Sequence, residues 1–292
     1  MKQEPPANQL PDLTSPKALA ALLRKHGVYT RKGLGQHLLV DRDALDAIGA
    51  ATGLGESGAP ENALEVGAGP GALTVELARR ARRVVAVEID HAMVGVLRET
   101  TARFPNVEII ESDLLKVEPE AIFGAEPYVL AANLPYYITA AALRHFLEAT
   151  QRPQRMVVMT QREVAERMVA RPGDMSLLSV SVQFYGTPTL VRVVLASAFF
   201  PPPQVDSAVV RIEIAPTPPL EGAERERMFA LAHAGFAEKR KQLHNSLARN
   251  LRYPPEAISR WLAAAQIDPM RRAQTVSIDD WIRLTRASLA EG

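Results

Sequence analysis

The chain contains no cysteine, which excludes both a disulfide framework and thiolate chemistry. This absence suits the reducing cytosol, and we expect a cytoplasmic protein. No apolar run is long enough to span a bilayer, and the polar, proline-rich residues 1–14 do not resemble a signal peptide. We expect those residues to form a disordered extension. The histidines show no metal-ligand spacing, and we expect no metal.

Acidic residues are missing from residues 13–40, although the net charge of the whole chain is only +1. The basic residues of that segment are Lys17, Arg24, Lys25, Arg31 and Lys32. A second basic cluster comprises Lys239, Arg240 and Lys241, followed by His244, Arg249 and Arg252. Local basic patches on a balanced chain indicate a polyanion bound at defined places. Either cluster alone could equally be a solvated helix face.

A glycine-rich stretch organises the first half of the chain. It runs Glu65-Val66-Gly67-Ala68-Gly69-Pro70-Gly71-Ala72-Leu73-Thr74, after an apolar run and at the start of an amphipathic one. A strand, a glycine turn and a helix start can bind a small molecule with oxygen atoms. The helix N-terminus offers free N–H groups, and glycine lets a ligand approach the backbone closely. Taken alone, the motif is equally typical of a tight turn without a ligand.

Three further apolar runs end in polar residues, at Glu88, shortly before Asp113, and at Asn133. In an open parallel sheet, ligands bind in the crevice outside the carboxyl ends of the strands, and an acid about 20 residues after the glycines binds a ribose diol. Any one of these residues could be a loop or cap residue. Their succession predicts a ligand site.

The hydrophobic pattern predicts an α/β fold with two domains. Residues 15–214 form a parallel-sheet domain with a basic helical segment at its start, and its strands lie at 63–66, 83–88, 107–111, 127–132, 155–160, 190–195 and 205–214. Residues 175–185 suit a strand or a helix. The proline-rich residues 215–219 form a linker. The period beyond it predicts a small all-helical domain over 215–292, with helices at 222–237, 239–251, 255–265 and 278–290.

Several motifs, spread over nearly the whole chain after residue 30, resemble those of the ribosomal RNA adenine N6,N6-dimethyltransferase family. They match best the branch that dimethylates two adjacent adenines near the 3′ end of small-subunit (16S) rRNA. The motifs are Gly35-Gln36-His37-Leu38-Leu39, residues 65–74, Glu88, Asp113, Asn133-Leu134-Pro135-Tyr136, residues 161–167, residues 199–207 and residues 236–243.

The resemblance implies a methyltransferase that uses S-adenosylmethionine, with a doubly wound, Rossmann-like sheet and a helical, RNA-binding C-terminal domain. By this resemblance Gly67 passes the methionine end of the cofactor, Glu88 accepts from its ribose hydroxyls, and Asp113 accepts from its adenine amine. His37 and Leu39 belong to a segment that closes over the cofactor. The implied partner is the small ribosomal subunit during its biogenesis, and we expect a monomer that needs neither metal nor membrane.

The Asn133–Tyr136 motif can act on the target adenine and lies beside the cofactor. The amine is a poor nucleophile because its lone pair is delocalised, and a site helps by accepting both amine hydrogens. Asn133 offers a side-chain carbonyl, and the backbone of Leu134 and Pro135 offers a second acceptor. We expect Tyr136 and Phe199 to stack on the two faces of the base. Positioning of the amine against the methyl donor is then the main contribution to catalysis.

One departure and several alternatives remain open. The bacterial branch usually has asparagine where this chain has His37, which is harmless if backbone atoms make the contact. An antibiotic-resistance enzyme acting on 23S rRNA is the alternative within the family. A non-catalytic ribosome-assembly factor is an alternative of a different class, as is a nicotinamide dehydrogenase, whose glycine spacing differs from that of Gly69 and Gly71.

Overall fold

A computed structural model of the chain describes residues 11–28, 37–238 and 240–290. The strands are β1 (Leu38–Leu39), β2 (Asn62–Val66), β3 (Arg83–Glu88), β4 (Val107–Glu111), β5 (Tyr128–Asn133), β6 (Arg155–Gln161), β7 (Gly186–Val194), β8 (Phe199–Phe200) and β9 (Ser207–Ile214). The α-helices are α1 (Pro16–Lys25), α2 (Arg42–Thr52), α3 (Ala72–Ala78), α4 (His91–Thr101), α5 (Pro119–Phe123), α6 (Thr139–Leu147), α7 (Arg162–Met168), α8 (Leu177–Tyr185), α9 (Gly222–Phe236), α10 (Leu243–Leu251), α11 (Pro255–Ala264) and α12 (Ile278–Ala290).

One seven-stranded sheet has the order β4-β3-β2-β5-β6-β9-β7. The strands from β4 to β6 are parallel, and β9 runs antiparallel to β6. β2, β3 and β5 are buried along almost their whole length, on both faces, as expected for the centre of a parallel sheet. The predicted α/β fold with a doubly wound sheet is therefore confirmed.

The register of the sheet aligns the carboxyl ends of its strands. Val66 of β2 lies opposite Val87 of β3, one residue before Glu88. β5 joins the other side of β2 and ends at Asn133. The loops that follow these strands therefore leave the sheet along one edge.

A second, two-stranded sheet was not predicted from the sequence. β1 pairs antiparallel with β8, and the pairing places Leu39 opposite Phe199 and Leu38 opposite Phe200. Each strand has only two residues, so neither carries a detectable period. The pairing joins the segment before α2 to the segment before β9.

The chain divides into two compact units, one made of residues 1–165 and 189–213 and the other of residues 166–188 and 214–292. This differs from the predicted boundaries, because residues 166–188 belong with the C-terminal helices. Within that unit the N–H groups of Gly173 and Met175 donate to the carbonyl of Gln274, at 2.9 and 3.1 Å. Of the ambiguous residues 175–185, Leu177–Tyr185 form the helix α8, and Ser176 caps its start.

Two other predictions need correction at the ends of elements. Leu13 is buried and Asp12 accepts from the N–H of Thr14, so order begins before residue 14; residues 1–10 lie outside the described residues. Helix α10 begins at Leu243 rather than 239. Arg240 and Lys241 therefore lie in the turn before the helix, and Lys239 is not described.

Candidate active site

The carboxyl ends of the central parallel strands surround one cavity in the first unit. Every predicted site residue lines it except Leu39. The strand register explains this convergence, because residues that are far apart in sequence leave the sheet at the same edge. Gly35 and Gln36 of the predicted N-terminal motif lie outside the described residues.

Two glycines of the loop between β2 and α3 have different physical roles. A Cβ on Gly67 would meet nothing closer than the carbonyl oxygen of Asn133 at 3.9 Å, so the backbone there is open to a ligand. A Cβ on Gly71 would lie 2.7 Å from Thr100 Oγ1 and 2.8 Å from Leu97 Cδ1. Both glycines have positive φ, but Gly71 serves the packing of α3 on α4 and does not line the cavity.

Glu88 is buried and ties two loops together. Its Oε2 accepts from the N–H of Gly69 at 2.8 Å, and its Oε1 accepts from the N–H groups of Ile89 and Asp90 at 2.8 and 2.9 Å. A carboxylate has about four acceptor positions, so these three bonds leave one on Oε2. The side chain is held in one orientation with that position available.

Asp113 occupies the corresponding place after β4. The N–H of Ser112 donates to the carbonyl of Glu88 at 3.0 Å, which holds this loop beside the end of β3. Asp113 Oδ1 accepts from the N–H of Leu115 at 3.0 Å and caps a short 3-10 turn. Its second oxygen is not used by that cap.

The amide of Asn133 is oriented by the backbone of the N-terminal segment. Asn133 Nδ2 donates to the carbonyl of His37 at 3.2 Å, and because a carbonyl only accepts, the amide nitrogen must face it. The Oδ1 atom is then available as an acceptor. The carbonyl of Pro135 accepts from the N–H of Ile138 at 3.1 Å, which leaves the Leu134 carbonyl as the better second acceptor.

His37 makes its contact to Asn133 through the backbone, so histidine at this position preserves it. The ring has another role: Nδ1 donates to the carbonyl of Pro201 at 2.8 Å. The ring also lies 6.0 Å from that of Tyr136, at an interplanar angle of 28°. His37 thus joins the N-terminal segment to the loop after β8.

Two aromatic rings line the cavity where stacking on a base was predicted. Tyr136 bonds through Oη to Ser207 Oγ at 2.9 Å, and burial raises the pKa of Tyr136, so its hydroxyl stays protonated. Phe199 is buried and is placed by its pairing with β1. The structure therefore brings Asn133, Tyr136 and Phe199 to one cavity, as predicted.

The family model described as ribosomal RNA adenine dimethylase matches residues 28–288. The chain belongs to the ribosomal RNA adenine dimethylase family. It is 48% identical over 264 residues to the ribosomal RNA small subunit methyltransferase A of Dehalococcoides mccartyi (strain CBDB1), a match that covers 90% of each chain. It is 39% identical over 285 residues to the enzyme of that name from Shouchella clausii (strain KSM-K16), covering 94% of this chain and 95% of the relative.

Solved structures support the same assignment. The 23S rRNA methyltransferase ErmE is 32% identical, with a TM-score of 0.69 over 85% of this chain and 98% of that protein. A dimethyladenosine transferase from Plasmodium falciparum is 27% identical, with a TM-score of 0.73 over 85% of this chain and 96% of that one. The predicted family, fold and methyltransferase activity are confirmed, and RNA is the class of substrate.

Leu39 is placed differently from the other predicted site residues of this adenine dimethylase. Its side chain is buried in the hydrophobic core next to Phe199. It lines a smaller neighbouring cavity that shares Gly67 and Asn133 with the main one. Leu39 therefore lines only the smaller cavity.

Glu65 lines the same smaller cavity and was given no role from the sequence. It is buried, and among the described residues its Oε2 atom has no hydrogen-bond partner. Burial raises the pKa of the Glu65 carboxyl to about 8, and the negative charge of Glu88 adds to the effect. A protonated carboxyl therefore stands beside the glycine loop at neutral pH.

Among the cavity residues of this family member that were given no role from the sequence are Ile89 and Tyr137, which are 66% and 73% exposed. Each directly follows a predicted site residue, Glu88 and Tyr136, and that adjacency was the available signal. Large apolar or aromatic side chains so exposed at the wall of a cavity offer contact surface to a ligand.

Each of the two basic clusters contains one side chain that is already paired with a carboxylate. Lys25 forms an ion pair with Glu99 at 2.7 Å, and Arg249 forms one with Glu238 at 2.9 Å. Arg240 and Lys241 are exposed. Within the described part of the chain, no group of three or more potential metal ligands occurs, and no helix is long and apolar enough to cross a membrane.

Proposed function

We propose that this chain transfers methyl groups from S-adenosylmethionine to the N6 amines of two adjacent adenines near the 3′ end of 16S rRNA, giving N6,N6-dimethyladenines during biogenesis of the small ribosomal subunit. The observation that supports this proposal most directly is the orientation of Asn133. Its amide nitrogen is held by His37, while Oδ1 can accept from an amine. Relatives named ribosomal RNA small subunit methyltransferase A support the choice of subunit.

The cavity fits S-adenosylmethionine by the chemistry of its residues. The open acceptor position of Glu88 suits a ribose hydroxyl, and the unused oxygen of Asp113 suits the adenine amine. Gly67 leaves the backbone open for the methionine end, and Ile89 offers apolar surface to the adenine ring. When bound, S-adenosylmethionine supplies a methyl group made electrophilic by its sulfonium. His37 would complete the N-terminal side of this site, and Leu39 would support that side from the core.

The residues around Asn133 would position the target amine. Its two hydrogens are accepted by Asn133 Oδ1 and by the Leu134 carbonyl, which favours a pyramidal nitrogen whose lone pair points away from both acceptors. Pro135 has no N–H and stiffens the segment. Tyr136 and Phe199 hold the flipped base by its faces. After the first transfer the nitrogen loses a proton to water and keeps one hydrogen for Asn133, so the same clamp can serve a second transfer.

The C-terminal unit would contribute RNA contacts through the exposed Arg240 and Lys241, supported by Arg252. We infer that role for the helices of residues 215–292, which form one unit with residues 166–188. We further infer a cytoplasmic monomer, since the assembling small subunit is located in the cytoplasm. Sedimentation of the purified protein tests the monomer.

The test is transfer of labelled methyl groups to isolated ribosomal subunits that lack the modification. We expect labelling of the small subunit, located by mass spectrometry at two adjacent adenines. Labelling of the large subunit alone would favour the 23S alternative, which the likeness to ErmE keeps in view.

Asn133→Asp tests whether catalysis depends on the amide. Its two carboxylate oxygens only accept, so one of them would face the carbonyl of His37 and the side chain would rotate. We expect the single-turnover rate to fall about 100-fold or more, in the range seen when one positioned group is removed. Cofactor affinity, measured by calorimetry, is the control for folding. An unchanged rate would contradict the clamp, and full assembly support by an inactive variant would favour a non-catalytic role.

A further inference from the structure

The segment between β5 and α6 presents two aromatic rings from one turn. The N–H of Ile138 donates to the carbonyl of Pro135 at 3.1 Å, so Tyr136 and Tyr137 occupy the two central positions of a β-turn. Bonds on both sides anchor it: the N–H of Leu134 donates to the carbonyl of Met159 at 3.0 Å, and the hydroxyls of Thr139 and Thr160 lie 3.0 Å apart. The turn therefore holds both rings on a rigid support.

The two tyrosines are used differently by the fold. Tyr136 is half-buried and bonded to Ser207, which fixes it as part of the cavity wall. Tyr137 lines the same cavity but remains 73% exposed. Contacts within the fold explain the position of the Tyr136 ring. Most of the Tyr137 ring, in contrast, remains exposed to solvent. A ring held out from a rigid turn loses little further freedom when a flat partner covers it.

We propose that Tyr137 is a stacking platform for the nucleobase next to the target adenine, an outer base subsite beside the inner clamp at Asn133. This rests on the proposed function. Extracting one adenine from a strand uncovers a face of the adjoining base, and an exposed aromatic ring can cover that face. With two adjacent adenines, each base serves in turn as target and as neighbour. The outer subsite thus holds the base beside the target while the inner one holds the target itself.

The test compares Tyr137→Ala, Tyr137→Phe and a matched control, Leu195→Ala, which removes a 60% exposed apolar side chain that does not line the cavity. The substrate is small subunits reconstituted with rRNA whose 3′ fragment is synthetic, either intact or abasic at one of the two adenines. Stacking on an aromatic ring contributes about 1–3 kcal/mol per base. We expect Tyr137→Ala to raise KM for the intact substrate about tenfold, with a smaller change in kcat and no change in cofactor affinity. Tyr137→Phe and Leu195→Ala should match the wild type.

The abasic substrate shows whether the base and the ring act as a pair. For the wild type, removing the neighbouring base should raise KM for the remaining adenine about tenfold. For Tyr137→Ala the abasic substrate should be no worse than the intact one. Additive losses, or a KM for Tyr137→Ala equal to that of the wild type, would overturn the outer subsite while leaving the proposed function standing. Absence of any methylation by the wild type would instead remove the proposed function, and the subsite with it.

Discussion

Glu88 shows how one side chain can organise two loops. Its replacement by alanine removes the acceptor for three backbone N–H groups and the position assigned to a ribose hydroxyl. We expect Glu88→Ala to weaken cofactor binding about ten- to a hundredfold, because hydrogen bonds to a charged group contribute about 1.5–3 kcal/mol each. RNA affinity should remain nearly unchanged. Calorimetry with the cofactor and filter binding with RNA give the two values.

The matched control for that experiment is Glu111→Ala. Glu111 lies opposite Glu88 in the register of β3 and β4, but it pairs with His91 at the surface and does not line the cavity. Cofactor affinity should therefore survive its loss. Equal losses of RNA and cofactor binding in Glu88→Ala would contradict the assignment of this carboxylate.

Glu65 predicts a dependence of stability on pH. Its pKa is about 8 in the folded protein against an ordinary value of 4.5, so the folded chain keeps a proton that the unfolded chain releases. The folded state is therefore favoured most below pH 4.5, and this contribution is lost as the pH rises towards 8. Glu65→Gln cannot titrate. In urea unfolding, we expect the free energy of unfolding of the variant to rise relative to that of the wild type between pH 5 and pH 8, by on the order of a few kcal/mol. A difference that stays constant with pH would show that Glu65 is ionised.

The sequence located most of the residues that line the candidate site, but not their surroundings. Glu88, Asp113 and Asn133 could be found because each lies at or shortly after the end of an apolar run, and the hydrophobic pattern shows where such runs end. The burial of Leu39 and the exposure of Tyr137 depend on neighbours distant in sequence. His37 contacts Asn133 through its backbone carbonyl, and no residue type reveals such a contact.

Among the elements, the turn from β2 into α3 is sensitive to an added methyl group. Gly71→Ala would place a Cβ 2.7 Å from Thr100 in a backbone with φ of +91°. Gly58→Ala meets the same backbone problem at φ of +79°, with no atom within 4 Å of the added Cβ. We expect Gly58→Ala to cost about 1 kcal/mol and Gly71→Ala about 3 kcal/mol, since overpacking adds to the strain. Denaturant unfolding of both variants checks this, and equal losses would mean that α4 moves aside.

The central strands could be predicted because each is a short apolar run bounded by turns. The two-residue strands β1 and β8 were missed, since they are held by a partner far along the chain. The helix α10 was predicted four residues too long at its start, because basic residues continue a helical pattern without showing where the chain turns. Residues 166–188 were assigned to the first domain because sequence order cannot show which unit a segment packs on.

For the whole molecule, the distribution of charge matters more than the net value of +1. We expect replacement of both Arg240 and Lys241 by alanine to weaken RNA binding and to lower the slope of log affinity against log salt by about 1–2, because each phosphate contact contributes about 0.7–0.9. Binding to small subunits over a series of salt concentrations measures the slope.

The control for that charge change is the double replacement of Arg98 and Arg103 by alanine. Both residues are exposed at or just beyond the end of α4, and the total charge falls by the same amount. This variant should keep the slope of the wild type. If the two double variants behave alike, the turn before α10 is only a solvated surface and RNA is bound elsewhere.

The link from His37 to Pro201 spans 164 positions, and the parallel strands β2 to β6 lie between its two ends. During synthesis, Glu88 and Asp113 are therefore made long before residue 201 exists to accept the bond from the His37 ring. Among the contacts at the candidate site, this one can form only after the strands β2 to β6 have been made.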